Sequence, residues 1–161
     1  MAKEINKKVI GASKHFYDGI KFDSKLEIAC YQLLKDSKLD FKYNENKYIL
    51  LDKFRLSNVS FYQAMYKKKK LVGYGEYLTK KGEKQAFTQM TYSPDFVFEN
   101  DKLLLIIETK GNPNDVYPYK RKIFLDILER DFKHKKVYFF EPRNKKQIIE
   151  TIKKIKDVLN E

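Results

Sequence analysis

The sequence predicts an α/β fold: a central mixed β-sheet flanked by helices, with a β insertion ahead of a buried hairpin. Three observations carry this. Residues 92–111, YSPDFVFENDKLLLIIETKG, hold two apolar runs, 96–98 and 103–107, around a polar turn at 99–102. The second run is apolar at every position, which predicts a strand covered on both faces. A helical stripe and a short apolar strand follow it, and a strand, helix, strand succession implies a parallel pair with a right-handed crossover.

Within the hairpin, side chains alternate, so Glu108 and Lys110 project from one face. With the turn centred near Asn100 and Asp101, the partner of Asp95 falls about two residues before Glu108. Asp95 is then expected diagonal to Glu108, near the limit of cross-strand reach. Two carboxylates and an ammonium at one end of a buried hairpin can hold a hard divalent cation and handle phosphate.

The remaining elements read in order. Residues 1–15 are basic and weakly patterned, a short arm. Tyr17-Asp18-Gly19-Ile20 predicts a tight turn in which glycine supplies positive φ. Ser24-Lys25-Leu26-Glu27 has the form of a capping box, opening a helix from about 24 to 37 with Leu26, Ala29, Cys30, Leu33 and Leu34 on its apolar face. Residues 41–51 are strand-like. Residues 58–86 predict a β excursion, with Lys67, Lys68, Lys69 and Lys70 at a basic tip. Pro118 suits the first turn of a helix from about 117 to 132, whose stripe is Ile123, Phe124, Ile127, Leu128 and Phe132. Residues 135–140 form a strand. Asn144 caps a last helix with Ile148, Ile149, Ile152, Ile155, Val158 and Leu159 along one side.

Composition bounds the function. At 161 residues the chain is read as one domain. No run reaches the length of a membrane span and no apolar leader opens the chain, so a soluble cytoplasmic protein is expected. The single Cys30 excludes an intrachain disulfide and fits a reducing compartment. With only His15 and His134 beside it, a zinc site of thiolates or imidazoles is not expected. Both histidines are read as surface residues. The net charge of +12 points to a polyanionic partner, nucleic acid first. Of 34 basic residues only four are arginine, a bias that an AT-rich genome also produces.

An acid, any residue, then lysine occurs also at Asp23, Asp36, Asp40, Glu45 and Asp131, so the bare triplet discriminates nothing. Glu108 differs in context, because it ends a long apolar strand whose partner strand starts beside an acid. Ser93-Pro94-Asp95, twelve residues, then Glu108-Thr109-Lys110 resembles the PD-(D/E)xK signature of the restriction-endonuclease-like nucleases. Phe22-Asp23-Ser24-Lys25-Leu26-Glu27 ahead of a helix resembles the leading acidic motif of phage endonuclease I, a Holliday-junction resolvase, and of small related phage domains. Lys120-Arg121-Lys122-Ile123-Phe124 resembles those phage domains too.

The resemblance covers residues 17–140 apart from 58–86. It implies a restriction-endonuclease-like fold and a single phage-encoded nuclease domain over 1–161, acting in the host cytoplasm. It implies Asp95, Glu108 and Glu27 as ligands of Mg²⁺ or Mn²⁺, with Lys110 as the catalytic lysine. It also implies branched DNA as substrate, contacted by Lys120, Arg121 and Lys122, with Lys67, Lys68, Lys69 and Lys70 as further candidates. Cutting paired strands at a junction needs two sites, hence a homodimer, for which the tyrosine-rich 58–92 region offers an interface. Two other functions compete: a nucleic-acid-binding protein without catalysis, and a sequence-specific restriction or transposon-end nuclease.

Overall fold

The computed structural model describes residues 15–111 and 114–160, so the basic arm expected over 1–15 lies outside it except for His15. Two compact units emerge, Met1–Tyr48 with Tyr92–Glu161, and Ile49–Thr91.

The first unit opens with a hairpin of β1 (His15–Tyr17) and β2 (Ile20–Phe22). Asp18 and Gly19 both hold positive φ, 53° and 75°, the turn geometry whose twist matches that of paired strands. Helix α1 (Lys25–Asp36) follows, with the Ser24 hydroxyl accepting from the Glu27 N–H at 3.1 Å. The capping box expected there is half made. The Glu27 carboxylate reaches the N–H of Asp23, one residue beyond Ser24.

The strand expected over 41–51 divides into β3 (Lys42–Tyr43) and β4 (Tyr48–Leu51). Asn44 breaks it by turning into the left-handed region, φ 51°, a conformation that asparagine tolerates better than most residues.

The second unit contains β5 (Phe54–Arg55), β6 (Tyr62–Lys67), β7 (Lys70–Glu76) and β8 (Ala86–Phe87), leading into β9 (Met90–Tyr92). Its strands pair two by two, β4 with β9, β5 with β8 and β6 with β7. Leu50 is its only buried residue among those described, so it has almost no core of its own. Lys68 and Lys69 turn the β6–β7 hairpin with φ of 46° and 65°. Left-handed backbone at a residue with a Cβ costs about 1 kcal/mol, and such turns usually go to Asn-Gly.

Back in the first unit, β10 (Phe96–Glu99) and β11 (Leu103–Ile107) form the expected hairpin, then α2 (Tyr117–Asp131), β12 (Lys136–Phe140) and α3 (Lys145–Asn160) complete the chain. The sheet order is β12-β11-β10-β3, with β11 and β12 parallel and the other pairs antiparallel. The molecule is thus a mixed α/β protein with a mixed central sheet. No helix among the described residues is long and apolar enough to cross a membrane.

Leu104, Leu105, Ile106 and Ile107 are fully buried. Leu105 and Ile107 join Phe22, Cys30, Leu34, Phe96 and the Ile148, Ile152, Ile155 and Val158 stripe, so α1 and α3 cover one sheet face. On the other face Phe139, paired with Ile106, meets Phe124 of α2, which also stacks on Tyr92 at 4.5 Å. Each such side chain contributes roughly 1.5–3 kcal/mol by leaving water. Ile149 and Leu159 of the expected α3 stripe remain partly exposed, at 38% and 39%.

Candidate active site

The hairpin register corrects the expected placement of Asp95. Phe96 pairs with Ile107 and Glu99 with Leu104, so the register continued by one residue sets Asp95 opposite Glu108 rather than diagonal to it. The turn is the cause. Asn100 accepts from the N–H groups of Lys102 and Leu103 through its side chain, both at 2.9 Å, which moves the bend one residue later than its composition suggests. Directly opposed residues share a face.

Each carboxylate is held by main chain. The Thr109 N–H and hydroxyl both donate to Asp95 Oδ2, at 2.7 and 2.6 Å. The Asp95 N–H donates to Glu108 Oε2 at 3.3 Å. Parallel pairing carries past the strand ends, since Glu108 N–H donates to Phe140 and Lys110 N–H to Pro142. Glu108 and Thr109 are consequently buried, at 3% and 5% exposure, so they form no solvated strand end. The Lys110 ammonium meets Glu108 Oε1 at 2.9 Å and lies 4.3 Å from the centre of the Tyr117 ring. Buried Glu108 beside an ammonium on an aromatic face is a preorganised charge arrangement.

Glu27 enters from α1. It is 7% exposed, and its Oε2 accepts from the Tyr43 hydroxyl at 2.7 Å and the Asp23 N–H at 3.0 Å. Tyr43 is fixed in turn by packing on Phe22 and Phe96. The carboxylate of Glu27 is therefore oriented by α1, β3 and the β2–α1 junction together.

Electrostatics tie the three acids into one neighbourhood. Burial pushes the Asp95 carboxyl well above its ordinary range, and the charges of Glu108 and Glu27 push it further, against the two Thr109 bonds. Asp95 keeps some solvent-facing surface, but the dense protein around its carboxyl dominates. Glu108 is likewise raised by burial, with Lys110 opposing. Like charges confined in a poorly solvated corner favour a proton or a cation. Among the described residues, no three of His, Cys, Asp and Glu stand grouped to hold one ion. Asp95 and Glu108 nonetheless suit a hard cation by donor chemistry, because Mg²⁺ is commonly held by one or two carboxylates with water and substrate phosphate completing its shell.

Several neighbours escaped sequence reasoning. Glu141 is clamped by the Tyr117 hydroxyl at 2.7 Å, Arg121 at 2.6 Å and Arg143 at 2.7 Å. Burial raises its carboxyl, but Arg121, Tyr117 and Arg143 together hold it below its usual value. The buried Tyr92 hydroxyl faces Glu108 and Tyr117 without reaching hydrogen-bond geometry with either. Thr109 sat inside the motif as its variable position, and Tyr92 only three residues before Asp95; no periodicity marked Glu141.

The basic candidates are separated. Arg121 is engaged by Glu141, whereas Lys122 is exposed on α2. Lys67, Lys68, Lys69 and Lys70 belong to the second unit, where Lys67 pairs with Lys70 at the ribbon tip. Cys30 is fully buried and its thiol is pushed up by burial, then by Asp95 and Glu27, so it is an inert core residue. His134 is exposed beside Phe132.

Residues 7–140 match the DUF1064 family, described as a protein of unknown function, and the chain belongs to that family. No curated protein and no solved structure matches it.

Proposed function

We propose that this member of the DUF1064 family is a metal-dependent DNA endonuclease of the restriction-endonuclease-like class, acting on branched DNA. One observation carries the reading: Asp95 and Glu108 oppose each other in a buried corner, each raised by burial, with Lys110 bonded to Glu108. Phosphodiester hydrolysis uses such a set, two desolvated acids in one corner with an ammonium beside one of them.

Asp95 and Glu108 would hold Mg²⁺ or Mn²⁺, with Glu27 as the additional acid. The bound ion supplies Lewis acidity and lowers the pKa of coordinated water. Thr109 aims the Asp95 carboxylate through its two bonds, and Tyr43 with the Asp23 N–H aims Glu27. Lys110, partly exposed beside the buried Glu108, offers positive charge to the phosphate as negative charge builds on it. The net charge of +12 supports a DNA partner, with Lys122 the most accessible of its helical triplet. Paired incisions across a junction call for two such sites, hence a homodimer.

The test compares a four-way junction with an unbranched duplex of the same sequence, with Mg²⁺ and with chelator. Junction cutting that Glu108→Gln abolishes while DNA binding survives is the expected result. Binding without cutting on every substrate would make this a non-catalytic DNA-binding protein. Cutting of the duplex at a fixed sequence would make it a restriction or transposon-end nuclease.

A further inference from the structure

The β6–β7 ribbon carries three exposed tyrosines on one face. Its register sets Tyr62 opposite Glu76, Ala64 opposite Tyr74 and Tyr66 opposite Leu71. Tyr62 and Tyr66 alternate along β6 with Tyr74 opposite Ala64 between them, so the three share a face, and a register shift between Met65 and Tyr66 brings Leu71 opposite Tyr66. The three tyrosines are 57%, 67% and 72% exposed. On the other face Met65, itself 46% exposed, lies so near Gly75 that an added Cβ would meet its sulfur at 2.6 Å.

Among the described residues no third strand pairs with the ribbon, and its unit has little core to anchor it. An isolated two-stranded ribbon is marginal without a further partner.

Charge identifies that partner. Residues Ile49–Thr91 carry nine basic side chains against three acidic ones. Lys67, Lys68, Lys69 and Lys70 crowd the tip, where two of them occupy left-handed backbone that glycine or asparagine would take more easily. Repulsion among these ammonium groups is relieved by a polyanion. A second copy of the chain would bring like charge to like charge. Exposed phenol rings add a preference within polyanions, because they stack on free base faces, which a duplex keeps covered.

We infer that the β6–β7 ribbon binds unpaired single-stranded DNA, with Tyr62, Tyr66 and Tyr74 stacking on bases and the tip lysines following the phosphates. This deepens the nuclease reading by naming the part of the substrate the protein recognises.

The full chain is titrated, in chelator, against a labelled oligo-dT strand and a duplex of equal length, with fluorescence anisotropy as readout. Wild type is expected to prefer the single strand. Tyr66→Ala/Tyr74→Ala should weaken that binding at least ~5-fold per tyrosine while leaving the salt dependence unchanged. Lys68→Ala/Lys69→Ala should flatten the salt dependence by roughly 0.7 per lysine in the log–log slope. Circular dichroism melts check that both variants stay folded. Unchanged single-strand affinity in the tyrosine variant would overturn the inference. So would a wild-type dimer in sedimentation that Tyr66→Ala/Tyr74→Ala converts to monomer without loss of DNA affinity, which would assign the face to a second copy. Chelator silences metal-dependent cleavage, and the ribbon contains neither Asp95 nor Glu108. A protein that never cuts DNA can therefore pass this test, and one that cuts can fail it.

Discussion

Asp95 faces Glu108 across the hairpin, and the main-chain N–H of Asp95 donates to the Glu108 carboxylate at 3.3 Å. Backbone of one acid thus positions the side chain of the other. Both carboxylates are held in hydrogen bonds, Asp95 by Thr109 and Glu108 by Lys110 and the Asp95 N–H, so their repulsion is met at fixed positions.

Glu108→Gln keeps the shape of the side chain and removes its charge. Metal-dependent DNA cleavage is expected to fall by at least ~10²-fold, the scale on which preorganised charge acts in active sites. The Asp95 carboxyl, freed of a like charge, should shift back toward its ordinary value, followed by carbon-detected NMR titration of its side chain. Cleavage at the wild-type rate would remove Glu108 from the chemistry.

Stability without divalent cations should respond to pH in the direction opposite to an ordinary ion-paired carboxylate. Asp95 and Glu108 are raised in the folded state, so from about pH 4, the unfolded carboxylate range, the unfolded chain binds fewer protons than the folded one. Their contribution is fully present below that range and is lost as pH rises through the folded values. Asp95→Asn should therefore melt higher than wild type near neutral pH in chelator, and added Mg²⁺ should narrow the difference. Thermal melts at pH 4–8 measure both. A wild type whose advantage over Asp95→Asn grows with pH would contradict the raised carboxyl.

Ser24 and Tyr43 separate the two roles of Glu27. Ser24→Ala removes the helix cap and should cost about 1 kcal/mol of stability with cleavage largely retained. Tyr43→Phe keeps the ring against Phe22 and Phe96 but deletes the donor to Glu27, costing roughly 1.5–3 kcal/mol and lowering cleavage as well. Urea unfolding read beside cleavage rates distinguishes them. Equal losses of activity per unit of stability would leave Glu27 a purely structural acid.

Tyr117 seats the Lys110 ammonium on its ring and anchors Glu141 through its hydroxyl. Tyr117→Phe preserves the ring and should leave cleavage within a few fold, while Tyr117→Ala should lower it about tenfold, the worth of one desolvated cation–π contact. Partial rescue by phenylalanine is the signature of a positioning role.

Much of this was legible in the linear pattern. The unbroken apolar run at Leu103–Ile107 announced the buried central strand, the Ser24 and Asn144 caps marked helix starts, and the Asp18-Gly19 turn followed from the backbone freedom of glycine. Local propensity and burial periodicity write those features into neighbouring residues. Asn44 showed the limit, since its left-handed twist divided a segment whose composition read as one strand.

What the sequence alone determined, then, was which segments become helix or strand and which acids sit at their ends. The tertiary structure decided the rest: that Asp95 stands opposite Glu108, that Tyr43 holds Glu27, that Glu141 gathers Tyr117, Arg121 and Arg143, and that three exposed tyrosines share one ribbon face. The division has a physical cause. Element type follows from interactions a few residues apart, but the environment of a carboxyl comes from groups that only folding brings within bonding distance. A one-residue change in where a turn bends is enough to choose its neighbour.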